Sequence, residues 1–199
     1  MSPMEASITP QAIVEAAVDV VTASGQDALT YRRVAAQAGC STSPVVAAFP
    51  NASALAQAAI EEINRSFGEH LAAGAASRPD SPFLGMGLAY VDFAARWPSR
   101  FAALFLSDQV GQASFDDLVD DDIHAFVFAA LAGSGIDAAG ARDLVTDMWI
   151  YVHGMASFIA TNALTAEPAD VERRLKRVMA GMRLAVTNNE TTEKEDRDE

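Results

Sequence analysis

Apolar residues recur at helical spacing along almost the whole chain, and no segment alternates like a half-buried strand. No Asn-Gly or Asp-Gly hairpin signal interrupts this pattern, and no internal repeat is present. The constraint is strong: a chain patterned this way can bury its apolar residues only by packing helix on helix, so the expected fold class is all-α. Punctuation then sets the elements. Thr9 can cap a first helix, Pro10 suits its first position and Gly25 stops it, with Ile13, Ala17, Val20 and Val21 as the inward stripe. A short second helix follows Thr30 and ends at Gly39, turning Val34, Ala35 and Ala38 inward. A third runs from Ser43 or Pro44 to Phe49, and Pro50-Asn51 breaks the chain. A fourth starts near Ser53 and reaches towards Leu71 on Leu55, Ala59, Ile63 and Phe67.

Residues 74–82, GAASRPDSP, read as a loop. Helical patterns follow over 82–96, 99–107, 114–133, 138–165 and 168–187, with Trp97-Pro98 dividing the first two. Ser114 can cap the third of these, with Asp116 and Asp117 in its first turn, and Gly133-Ser134-Gly135 ends it. The expected domains are 1–52, a three-helix unit, and 53–187, a larger helical domain, followed by a disordered acidic tail over 188–199.

Half of the 199 residues are hydrophobic, enough for a core without disulfides or metals. The single cysteine, Cys40, has no intramolecular partner, which fits a reducing cytoplasm. No apolar run is long enough for a membrane helix, and MSPMEAS is not a signal peptide, so no membrane partner is expected. The net charge of −13 opposes general affinity for nucleic acid. Its distribution is more informative: residues 1–64 carry two basic side chains, Arg32 and Arg33, against six acidic ones.

Gly39, Cys40 and Ser41 alone join the second and third helices. That is helix-turn-helix spacing, with Ala35 and Gly39 small where two backbones would come close. The order around it is more specific. IVEAA, ASGQDALTYRRVAAQAGCS and AFPNASAL, spread over residues 8–71, resemble the N-terminal domain of the TetR family of bacterial transcriptional regulators. YVDFAARWPSRFAALF (90–105) and MWIYVHGMASFI (148–159) resemble the ligand-binding domain of the family's Trp-His-Gly subgroup, the motif being Trp149, His153 and Gly154.

The resemblance implies about nine helices, a homodimer formed by the last two long ones, operator DNA as partner and a ligand-responsive regulator, most simply a repressor. It implies no cofactor. Carried onto this chain, the DNA-contacting set is Thr30, Arg32, Arg33, Thr42, Ser43 and Val46. The ligand set, a small apolar molecule between bundle helices, is Tyr90, Phe93, Phe105, Phe126, Trp149 and His153. The resemblance also implies that Gly154 lets helices pack closely beside that site. Here the chain departs from the family: the third helix ordinarily carries a Tyr and the fourth opens on a Lys, where this sequence has Val46 and Ala52. A second reading therefore stands beside the first, a TetR-fold dimer whose degenerate helix-turn-helix no longer holds DNA and which serves as a ligand-binding or protein-interaction module.

Enzyme chemistry finds little support. His70, His124 and His153 lack metal-ligand spacing. Asp120, Asp121, Asp122 and His124 read as a solvated face, and Gly85-Met86-Gly87 lacks the strand that a phosphate loop requires.

Overall fold

The computed structural model describes residues 8–106 and 136–195, with side chains of the last helix described as far as Val186. Every regular element among these residues is helical. The α-helices are α1 (Pro10–Ser24), α2 (Tyr31–Gln37), α3 (Thr42–Ala48), α4 (Ala52–Ala76), α5 (Pro82–Arg96), α6 (Pro98–Phe105), α7 (Ala138–Ala160) and α8 (Pro168–Glu195). One short 3₁₀ turn, Gln26–Ala28, joins α1 to α2. The stretch expected to be helical over 114–133 lies outside the described residues.

The start signals work as their chemistry requires. The Thr9 hydroxyl accepts from the Ala12 amide at 3.2 Å and Pro10 opens α1. The Asn51 side chain accepts from the Ala54 amide at 2.8 Å, so the Pro50-Asn51 break is also the cap of α4. Asp137 caps α7 through the Gly140 amide at 2.8 Å. The stops differ more. α4 continues to Ala76, into the expected loop, and α7 ends at Ala160 rather than at 165. There Asn162 takes a left-handed φ of 58°, and the amides of Ala163 and Leu164 both donate to the Phe158 carbonyl. α8 runs to Glu195, so residues 188–195, expected to be disordered, continue the helix. Adding a residue to an existing helix fixes one residue per hydrogen bond, and Glu and Lys are good helix formers.

The chain divides into two compact units. The first holds α1 to α3, α4 as far as Glu69, and the segment from Arg96 that includes α6. Its core is Ile13, Val21, Val34, Val45, Leu55, Ile63, Phe67 and Phe101. α4 thus supplies the small N-terminal unit with a long apolar edge that three short helices lack. α6 is fastened to α1 by Arg100, whose Nε donates to the Thr22 hydroxyl at 2.6 Å while its guanidinium lies 5.7 Å from the Trp97 ring centre. The second unit holds the end of α4, most of α5, and α7 and α8. Its core includes Leu71, Ala75, Tyr90, Phe93, Leu144, Val152, Val171 and Leu175. Arg78 grips Glu172 with two hydrogen bonds of 2.9 and 2.8 Å, tying the α4–α5 connection to α8.

α4 and α5 cross with their backbones in contact. A Cβ on Gly74 would lie 2.4 Å from the Ala89 Cβ, and one on Gly85 would lie 2.3 Å from the Gly74 carbonyl oxygen. The close approach implied for Gly154 is not found: a Cβ there meets nothing within 4 Å among the described residues.

Candidate functional site

The first candidate surface is the helix-turn-helix. α2 ends in a Schellman closure, the Cys40 amide donating to the Ala35 carbonyl at 2.9 Å across Gly39 at φ 67°. Gly39 is therefore required by conformation and not by crowding, since nothing among the described residues lies within 4 Å of where its Cβ would be. Val34 and Val45 are completely buried and hold α2 and α3 together. Across their far end the Tyr31 hydroxyl donates to the Phe49 carbonyl at 2.9 Å, joining the first residue of α2 to the residue that ends α3. No sequence pattern singled out Tyr31, because residues 31 and 49 are related only by the fold.

This frame sets out the expected DNA-contacting residues. Arg32 and Arg33 are adjacent and exposed on α2. Thr30 is exposed, but its hydroxyl already caps α2 by accepting from the Arg33 amide at 3.3 Å. Thr42 and Ser43 are exposed in the first turn of α3, and Val46 is 50% exposed one turn later. Between Tyr31 and Phe49 there is no acidic residue, and the basic side chains of that segment are Arg32 and Arg33. Asp19 of α1 lies beside it and accepts from the Gln37 side chain at 3.1 Å.

The second candidate surface lies in the C-terminal unit. The Tyr90 hydroxyl meets His153 Nδ1 at 2.9 Å, and Trp149 stacks on the same imidazole with centroids 4.7 Å apart and planes 12° from parallel. Burial pushes the Tyr90 phenol far above its ordinary value, so Tyr90 keeps its proton. Burial lowers the His153 pKa, so the ring is neutral at pH 7 and carries a single proton on one of its two nitrogens. Tyr90, from α5, thus joins two residues one turn apart on α7 in a single group. Phe93 is buried one turn from Tyr90 on α5, packed on His70, whose Nε2 meets Asp92 at 3.0 Å. Phe105 belongs to a different cluster, in the N-terminal unit, where it packs edge-on against Phe67 at 5.3 Å and against Phe101 at 5.0 Å. Phe126 lies outside the described residues, as do Asp120 to Asp122 and His124.

A profile described as tetracyclin repressor-like, C-terminal domain, matches residues 83–182, half of the chain. The chain belongs to the TetR family. No curated protein matches it. In this TetR chain the matched region contains the Tyr90–His153–Trp149 group, all of α7 and α8 as far as residue 182. The helix-turn-helix lies before it. No helix among the described residues is long and apolar enough to cross a membrane.

Proposed function

We propose that this TetR-family protein is a ligand-responsive homodimeric regulator that binds operator DNA through residues 31–49. The observation that carries this reading is the exposed, acid-free helix-turn-helix, closed at Gly39 and locked by Tyr31, in a chain whose C-terminal domain is of the TetR type. Arg32 and Arg33 would neutralise phosphates, while Thr42 and Ser43 would add hydroxyl contacts. Val46 can offer only apolar contact, suited to a thymine methyl. Two such units would meet successive major grooves about 34–36 Å apart. The dimer would form on α7 and α8, where Ile150, Phe158 and Leu184 are 42%, 59% and 64% exposed, a face that a second copy would cover. A small apolar ligand beside Tyr90, Trp149 and His153 would act through different affinities for two states of the protein. The stacking of Trp149 on His153 supports placing the chain in the Trp-His-Gly subgroup.

The test is a fluorescence or gel-shift titration against the DNA upstream of the protein's own gene at about 50 mM salt. Binding should weaken by about two orders of magnitude between 50 and 200 mM, because about four arginine–phosphate contacts per dimer give a log–log slope near −3.6. Absence of binding at the lower salt sinks the reading.

A second reading, a TetR-fold module that no longer holds DNA, is favoured by one observation: the exposed face of α3 beyond its first turn is Val46 and Ala47, with no donor for phosphate. On that reading Val46→Tyr combined with Ala52→Lys gives DNA affinity to a protein that had none.

A further inference from the structure

The Ser157 hydroxyl oxygen is buried and has no hydrogen-bond partner among the described residues. That is anomalous within this molecule. Thr22, Ser66, Ser77 and Thr161 also lie in or at the ends of helices, and each donates back to a carbonyl three or four residues earlier, at 2.7, 2.8, 2.7 and 2.8 Å. Ser157 makes no such bond, and its own carbonyl is occupied by the amide and hydroxyl of Thr161. A buried hydroxyl without a partner costs more than one that bonds to its own helix, so the position calls for an explanation.

Its place on α7 supplies one. Trp149, His153 and Ser157 are spaced four residues apart, so they lie on successive turns of one flank, each about 6 Å further along the axis. The first two form the group that Tyr90 closes. The flank turns away from the buried row of Leu144, Val145, Met148, Val152 and Met155. From Trp149 to Ser157 it carries indole, imidazole and hydroxyl in order, and the charged side chain nearest in register, Arg142, lies about two turns before Trp149.

We propose that Ser157 is a specificity-determining residue of the ligand site, its hydroxyl hydrogen-bonding the single polar group of an uncharged, largely apolar ligand that bears a hydroxyl or carbonyl. This rests on the reading of the Tyr90–Trp149–His153 flank as the ligand site. A charged ligand group brought against the buried Ser157 hydroxyl would give up its hydration for one hydrogen bond to a neutral partner, and burying a charge that way is costly. The neutrality of His153 at pH 7 agrees with this.

The experiment uses the full chain and three matched pairs of probes: toluene and p-cresol, naphthalene and 2-naphthol, biphenyl and 4-phenylphenol. Equilibrium dialysis measures each affinity for the wild type and for Ser157→Ala. At least one pair should show the hydroxyl-bearing member bound about three- to tenfold more weakly by the variant, with its hydrocarbon unchanged, the size of one net hydrogen bond. In the absence of probe, Ser157→Ala should melt at the same temperature as wild type or higher, because a partnerless hydroxyl has been removed. An unchanged ratio within every pair, no binding of any probe, or a lowered melting temperature overturns the proposal. DNA binding measured on the same samples separates the two readings. Ser157-dependent probe binding without a DNA shift leaves this inference standing and ends the regulator; a DNA shift without it does the reverse.

Discussion

At the scale of single residues, two contacts set what the candidate surfaces can do. Tyr31 closes the helix-turn-helix by donating to the Phe49 carbonyl. Tyr31→Phe keeps the ring and removes only the donor, so it should cost about 0.5–1.5 kcal/mol in urea unfolding, and on the proposed operator-binding reading DNA affinity should fall with it. His153 is the other. Its pKa is lowered by burial, so the folded state holds the neutral ring and the unfolded chain takes up a proton more readily. Stability from this group is complete above the ordinary imidazole value of about 6.5 and is lost as pH falls below it. The indole stacked on the ring reports the change. In a Trp97→Phe background, Trp149 emission should be constant above pH 7 and should quench at lower pH, as imidazolium replaces imidazole, with a midpoint below 6.5. A midpoint at or above that value contradicts the burial.

Between elements, glycines that look alike in sequence turn out to do different things. Gly74 and Gly85 allow the backbones of α4 and α5 to touch. Gly74→Ala would drive a methyl into the Gly85 carbonyl and the Ala89 side chain, and should destabilise by about 1–3 kcal/mol in thermal or urea melts. A Cβ on Gly154 meets nothing within 4 Å among the described residues. Gly154→Ala should therefore stabilise α7 within one chain by up to about 1 kcal/mol, through helix propensity alone. If a second copy comes close along the Ile150 and Phe158 face, the same substitution weakens the dimer instead. Sedimentation of the variant at several concentrations distinguishes the two.

For the molecule as a whole, the acid side of the stability curve belongs in part to one ion pair. Hydrogen bonds from Arg78, and then from Lys176, hold the Glu172 carboxyl at about 2. The carboxylate is favoured by folding, so its contribution is full above the ordinary value of 4.5 and disappears as pH falls from there towards about 2. Glu172→Gln should flatten that part of the stability profile and leave the profile above pH 6 parallel to that of the wild type. Nothing comparable braces the helix-turn-helix, where Arg32 and Arg33 are exposed and enter no ion pair among the described residues.

The sequence by itself determined the local matters: which residues start helices, where most of them stop, and that every regular element described is helical. Those follow from backbone chemistry within a few residues, as at Thr9-Pro10, Gly39 and Asn51. It also placed the Trp149–His153 face, because four residues make about one turn. Where the α8 helix ends escaped it, since propagation from a long helix outweighed the polar composition of 188–195. Only tertiary structure decided that Tyr31 reaches Phe49, that Tyr90 completes His153 from another helix, and that Phe105 joins Phe67 and Phe101 in the N-terminal unit. It alone left the Ser157 hydroxyl buried without a partner among the described residues. Such pairings depend on which faces meet when helices pack, and nothing in the spacing of residues along one helix specifies its neighbour.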